Sequence, residues 1–256
     1  LTESALNDAT SLLQDARTAV LSAGNATFSD AERKVQAKHI RDLRDQLLSV
    51  ANRADGSGNY LFGGQGNQQS PFVDAAGGVQ WRSVTGEMRV ASNEGLPTSL
   101  DGRQAWLQAS TGNGVFVTGA SATSSGNAWI DPGRVSNIAA VTGDSYEIVF
   151  DSSGASPTYS VLRNGAATSV VGQPFTSGKQ MEVDGMAFTI TGKPSTGDSF
   201  SLTPSTPTLN LFSVLDQAAK ALEQPLASST QVAQTVASTV RDIDSWGKGR
   251  VEFRAA

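Results

Sequence analysis

The sequence predicts an α+β protein: a discontinuous helical-bundle stem carrying an inserted all-β domain of sandwich or barrel-like form. Three observations lead there. Apolar residues recur at spacings of three and four near both ends of the 256-residue chain, but not in its middle. The middle alternates apolar and polar residues between strong hairpin turns, Asn164-Gly165 and Asp184-Gly185. Between these regimes, residues 52–72 break the helical pattern with glycine and asparagine and then present an aromatic plug. The expected division is 1–106 with 207–256 as the stem, including a β excursion near 63–104, and 107–206 as the inserted domain.

The first helix is read from Leu6, Ala9, Leu13, Ala16, Val20 and Ala23, which fall on one face. Gly24-Asn25 ends it, and Ser29 or Asp30 can cap the next. That helix places Ile40, Leu43, Leu47, Val50 and Ala54 on one stripe. Its other face carries Arg33, Lys34, Lys38, Asp42 and Asp45, with Lys38/Asp42 and Arg41/Asp45 spaced to pair. The small residues of the first seam bury little, so this hairpin needs a third helix.

The C-terminal region supplies it. Leu211, Val214, Leu215, Ala218 and Leu222 make one stripe, Pro225 interrupts, and Val232, Val236, Val240 and Ile243 make another, with Trp246 and Phe253 beyond. The termini are expected to lie together, with the β domain projecting from the far end of the stem.

Within the excursion, Trp81, Val84, Met88 and Val90 alternate with polar residues up to about Ala91, and the segment ends near Asp101-Gly102. Trp106 and Leu107 are placed at the junction to the next domain. Later, Tyr146, Ile148 and Phe150 share one strand face, Tyr159 and Val161 the next, and Met186, Phe188 and Ile190 another. About six to eight short strands at this spacing suit a sandwich or small barrel. Leu107–Gly114 and Pro204–Pro207 are read as hinges that let the β domain tilt.

Composition narrows the function. Only 38% of residues are hydrophobic and 17% charged, the balance being turn-forming and polar types. The net charge of −5 offers no basic groove, so nucleic acid is not an expected partner. No apolar run reaches membrane-spanning length, and no signal-peptide pattern opens the sequence. The absence of cysteine excludes disulfides and thiolate chemistry. The sequence starts at Leu1 and ends at Ala256 without helix stop signals, and reads as a fragment trimmed through helices.

Catalytic candidates are weak. His39, the single histidine, lies among charged helix residues with no serine motif nearby. Asp55-Gly56-Ser57-Gly58-Asn59 has Tyr60 and Gly66 where a calcium loop needs glycine and glutamate. Gly63-Gly64-Gln65-Gly66 lacks the lysine of a phosphate loop. Asp144, Glu147, Asp184 and Asp198 could in principle pair for glycoside cleavage, but aspartate beside glycine is routine in turns. No catalytic residue, metal or cofactor is therefore expected.

Asn59-Tyr60-Leu61-Phe62-Gly63-Gly64, followed by Pro71-Phe72, resembles the motif of the flagellar hook-filament junction proteins, the FlgL type of the bacterial flagellin family. The segment Gln80–Glu87 resembles that family's β segment, with Trp81 where tyrosine is usual and a degenerate turn after it. Tyr146–Phe150, Thr158–Val161, Val183–Met186 and Gly197–Phe200 are similar to the β insert of hook-associated proteins, and the C-terminal helix to the returning rod helix. The resemblance covers nearly the whole chain. It implies a structural role, with export through the flagellar secretion channel and axial assembly at the distal end of the hook. Implied partners are copies of itself in a ring, the adjacent hook-associated protein, flagellin and an export chaperone. Terminal helices form the inner tube in that family. Their absence from this sequence implies a chain monomeric in solution.

The motif residues carry the resemblance. Leu6, Leu13, Val20, Ile40, Leu43, Leu47, Val50, Leu211, Leu215, Val236 and Ile243 are the expected stem core. Three readings compete: flagellin itself or the neighbouring hook-associated protein, a secreted glycan-binding module or adhesin, and a hydrolase using the turn carboxylates.

Overall fold

The structure is a computed structural model that describes residues 1–66, 68–86, 88–89 and 97–255. Glu87, Val90 and Ala91, which belong to the expected excursion, lie outside the described residues, as does the side chain of Phe253. The chain opens with an antiparallel helical hairpin, α1 (Thr2–Ala23) and α2 (Asp30–Ala51). Ser29 caps α2 in a full capping box: its hydroxyl accepts from the Glu32 N–H and Glu32 accepts in return from the Ser29 N–H. The excursion holds two short ribbons, β1 (Phe72–Ala75) with β2 (Gly78–Trp81), and β3 (Met88–Arg89) with β4 (Pro97–Ser99). The short helix α3 (Gly102–Leu107) follows, capped by Asp101.

The inserted region contains β5 (Phe116–Ala120), β6 (Ala128–Ile130), β7 (Arg134–Val135), β8 (Tyr146–Asp151), β9 (Thr158–Arg163), β10 (Ala166–Ala167), β11 (Gln173–Pro174), β12 (Gln180–Val183), β13 (Met186–Gly192) and β14 (Ser199–Pro204). One sheet runs β10-β9-β8-β14-β5 with β11 added on β9. The other runs β12-β13-β6 with β7 also on β13. Every pairing is antiparallel. Ile148, Phe150, Phe200 and Leu202 from the first sheet meet Ile130, Met186, Phe188 and Ile190 from the second in one apolar core. Asn164 and Gly165 (φ 50° and 81°) and Asp184 and Gly185 (φ 42° and 78°) turn their hairpins with the paired positive φ angles that such turns require.

The chain then returns as α4 (Leu211–Leu222) and α5 (Ser229–Ala255). Both pack on the first hairpin, so the α+β class with a discontinuous stem is what the structure shows. Leu6, Leu13, Val20, Ile40, Leu43, Leu47, Val50, Leu211, Leu215 and Ile243 are buried in one helical core, and Val236 is half-buried against it. Among the described residues no helix is long and apolar enough to cross a membrane.

Four expectations need correction. Helix α2 stops at Ala51, so Ala54 leaves the stripe and bridges Tyr60 instead. Arg33 is buried rather than on a charged outer face, and its guanidinium donates to Phe28 O at 2.9 Å while pairing with Asp30. Arg41 bonds Glu223, the residue capping the end of α4, at 2.7 and 3.0 Å, because this partner brought by tertiary packing displaces the local i,i+4 pair, and Asp45 pairs with its neighbour Arg44 instead. Finally, the β domain does not project from the far end. Helix α1 runs antiparallel to α5, with Arg17 at 3.0 Å from Asp244, so the start of α1 and the end of α5 share one end of the stem. The β domain joins through the Ala109–Leu209 bridge, beside Trp246, and lies back along α5 towards the α4–α5 turn.

Candidate functional site

The motif residues form a folded knot at the end of α2. Asp55 builds the first turn: its side chain accepts from the N–H groups of Ser57 (2.7 Å) and Asn59 (2.9 Å). These donors, that of Asn59 first, hold the Asp55 carboxyl below the usual carboxylate range. The chain reverses, and the Leu61 N–H donates to Arg53 O at 2.9 Å. Asn59 and Tyr60 remain half-buried, whereas Leu61, Phe62, Gly63 and Gly64 are buried. Gly64 (φ 58°) lies against the β excursion, where an added Cβ would come within 2.3 Å of Val84 O. Only glycine fits there. Ser83 Oγ donates to Gly63 O and Gly66 O, and Ser99 Oγ donates to Tyr60 O, so the excursion clasps the motif through its backbone.

Pro71 and Phe72 close the knot. The Asn52 side chain donates to Phe72 O at 2.8 Å and accepts from its N–H at 3.0 Å, tying the helix end to β1. The Phe72 ring then enters an aromatic cluster centred on Trp106, which is fully buried. Phe62 meets Trp106 edge-on at 5.5 Å and Phe212 stacks on it at 5.8 Å. Trp246 lies 5.7 Å away and donates its Nε1–H to Ala105 O at 2.6 Å. Trp106 stands just before the linker to the β domain, at the point where the motif, α3, α4 and α5 meet.

A second node sits beside it. The Arg44 guanidinium, almost wholly buried, makes a two-pronged pair with Asp74 of β1 at 2.5 and 2.8 Å. It also reaches Asp216 of α4 at 3.2 Å, and lies over the Phe212 ring at 6.0 Å. Asp74 holds the Arg44 pKa above its ordinary value, and Arg44 in turn holds the Asp74 carboxyl below the usual range. One cation therefore fastens α2, β1 and α4 together. Heptad reading missed it because its partners lie 30 and 172 residues away.

The candidates for chemistry are dispersed. His39 is exposed on α2. Asp144 bonds Asn164 and Arg163 at the β9–β10 hairpin, and Asp184 accepts from the Tyr146 hydroxyl. Burial opposes ionisation of Asp198, but donors from Ser125 and Ser195 outweigh it and hold its carboxyl below the usual range. Each of these aspartates ties a turn together, and among the described residues no group of three or more His, Asp or Glu converges as metal ligands would.

A further set of side chains went unread in the sequence. Along α5, Thr230, Gln234, Arg241 and Ser245 recur at spacings of four, seven and four and face the β domain and its linker. They look like a solvated face, yet each bonds backbone atoms across the contact.

Comparison with known proteins fits this architecture. Residues 1–67 match the bacterial flagellin N-terminal helical region, and residues 119–204 match the D2-like domain of flagellar hook-associated protein 1. Flagellar hook-associated protein 3 of Salmonella typhimurium is 41% identical over 87 residues, 33% of this chain and 27% of that protein. Its Escherichia coli counterpart is 33% identical over 116 residues, 45% of this chain and 33% of that protein. The chain thus matches a third or less of the length of these two relatives. The flagellar junction protein FlgL of Legionella pneumophila superposes with a TM-score of 0.89 at 26% identity, covering 100% of this chain and 87% of that one. Xanthomonas campestris FlgL gives 0.90 at 27%, covering 99% and 84%. In sequence and in fold the chain is similar to the FlgL type of flagellar hook-associated proteins. The motif knot and both C-terminal helices lie within the span shared with the FlgL structures. Neither the glycan-binding nor the hydrolase reading gains support from these likenesses.

Proposed function

We propose that this chain is a structural component of the bacterial flagellum, seated at the junction between hook and filament and assembled axially with copies of itself. The supporting observation is the superposition on Legionella FlgL over the whole chain, stem and β domain together. In this reading the stem packs against neighbouring subunits, and the adjacent hook-associated protein and flagellin lie on either side. The protein leaves the cell through the flagellar export route without a cleaved signal peptide, escorted by an export chaperone. We also propose that 1–106 with 207–256 fold as the stem and 107–206 as the β domain. The separate apolar cores of the helices and of the two sheets support that division. The aromatic knot and the Arg44 node then serve to hold the stem in one shape for packing, and the chain free in solution, before assembly, is monomeric.

The match of residues 119–204 to the D2-like domain of hook-associated protein 1 favours a second reading, in which the chain takes that neighbouring position. Electron microscopy of a strain lacking the gene tests the proposal, together with immunogold labelling of hooks and an assay for flagellin in the medium. Bare hooks, shed flagellin and hook-associated protein 1 still at the hook tip are expected. Hooks that have lost hook-associated protein 1 as well would favour the second reading. Normal filaments would overturn both.

A further inference from the structure

The contact of α5 with the β domain is made largely by polar side chains reaching backbone atoms. Thr230 Oγ1 and Ser228 Oγ donate to Gly126 O. The Gln234 amide accepts from the Ile130 N–H at 3.0 Å and donates to Ile130 O at 3.1 Å. An Arg241 N–H donates to Thr118 O at 2.8 Å, and Ser245 Oγ donates to Ser110 O at 2.5 Å. All the acceptors and donors on the β side are backbone atoms. Ile130 sits on β6, the end strand of the β12-β13-β6 order, so Gln234 occupies a sheet edge much as a neighbouring strand would.

Three features make this a closure rather than a permanent joint. The apolar cores on the two sides are separate. A cavity of 560 Å³ lies in the contact itself, lined by Ala120, Ser124 and Gly126 on one side and Leu226, Thr230 and Gln231 on the other. The covalent connection is one narrow ribbon, in which Leu209 N–H donates to Ala109 O and Thr111 N–H to Thr206 O, both at 2.9 Å. Side chain to backbone bonds exchange readily for water when both partners become exposed, so such a contact opens without unfolding either side.

We infer that the polar stripe of α5 is a latch that holds the β domain down along the stem and opens as a unit, pivoting on the paired linkers and freeing the β6 edge. The inference stands whatever position the chain takes in a flagellum.

Two measurements test it. The chain has no cysteine, so Ala26→Cys and Thr123→Cys place one spin label on the stem and one on the β domain without background. Double electron–electron resonance is then compared with and without Gln234→Ala and Arg241→Ala, far-UV circular dichroism checking the fold. A new population at longer distance in the latch variant is expected, and an unchanged distribution overturns the inference. The second measurement uses the unaltered chain. The Ile130 N–H is held by Gln234, whereas the Phe150 N–H is held within its own domain by Asp198 O at 3.0 Å. Ile130 is expected to exchange at least about tenfold faster than Phe150, because opening of the latch suffices. Equal exchange rates would mean that the contact parts only with the fold.

Discussion

Around Trp106, five aromatic rings from the motif, α3, α4 and α5 pack with almost no polar contact. Along α5, four polar side chains reach backbone atoms of the β domain and its linker, and a cavity is left between them. Both regions join segments distant in sequence. They differ in what they ask of the partner: the knot needs particular rings on every side, while the seam needs only a correctly placed backbone. The first resists partial opening because any gap exposes apolar surface. The second exchanges protein hydrogen bonds for water at little net cost.

The largest expected effect is therefore at the knot. Trp106→Ala removes the ring on which Phe62, Phe72, Phe212 and Trp246 converge, and is expected to cost about 3–5 kcal/mol. That is a large part of the roughly 5–15 kcal/mol available to a domain. Urea unfolding should show the stem transition shifting strongly while the β domain, with its own core, keeps its midpoint. If both shift equally, the two regions are one cooperative unit and the comparison breaks.

The Arg44 node comes next. Replacing Asp74 and Asp216 together by Asn leaves a buried guanidinium with the exposed Asp45 as its remaining carboxylate, at a cost of about 3 kcal/mol. Arg44→Met should cost less, because both aspartates retain access to water. The pH dependence has a definite sign. Arg44 lowers the Asp74 pKa in the folded state, so the folded chain binds fewer protons there than the unfolded one. The resulting stability is fully present above the ordinary carboxylate pKa of about 4 and is lost as pH falls through the lowered folded value. Urea midpoints measured down to about pH 3 should fall less steeply in Asp74→Asn than in the parent. Parallel curves would remove Asp74 from the acid response.

Val236→Asp is expected to have a smaller effect. Val236 packs against Gly24, where an added Cβ would lie 3.1 Å from it, but the side chain is only half-buried. Water reaches part of the carboxylate, so about 2 kcal/mol is expected rather than outright unfolding of the stem. An unchanged melting temperature would show that this face of α5 is hydrated.

The order of these effects follows what the sequence made legible. The seams of α1 and α2 could be read because burial on one helical face imposes a period, and the turn between them because Gly24 and Ser29 have local capping chemistry, whereas the end of α2 was read three residues late, at Ala54. The hairpins at Asn164-Gly165 and Asp184-Gly185 were legible for the same local reason. Trp106 was not, since α3 has six residues and is too short to show a period. Arg44 sits beside Leu43 on a helix that otherwise reads as heptads, and nothing local points to Asp74 or Asp216. The Arg41/Asp45 pair was misassigned because spacing on one helix says nothing of a competing carboxylate, Glu223, on another. The motif was recognisable by its letters, but its geometry depends on Val84, Ser83 and Ser99 arriving from later in the chain.

The α5 stripe was the least legible feature and should give the smallest change in stability. A polar residue every three or four positions is what a solvated helix face looks like, and a backbone partner leaves no trace in the sequence of the β domain. In Gln234→Ala, the Ile130 N–H and C=O lose their partner. If the domain stayed docked, both groups would be left unsatisfied; with the domain released, water serves them. The expected loss is therefore about 1 kcal/mol, partly offset by alanine's better helix propensity. It should appear as a weaker coupling between the stem and β transitions rather than a lower midpoint for either. A loss as large as that of Trp106→Ala would place the seam with the knot, as a joint that the fold cannot open.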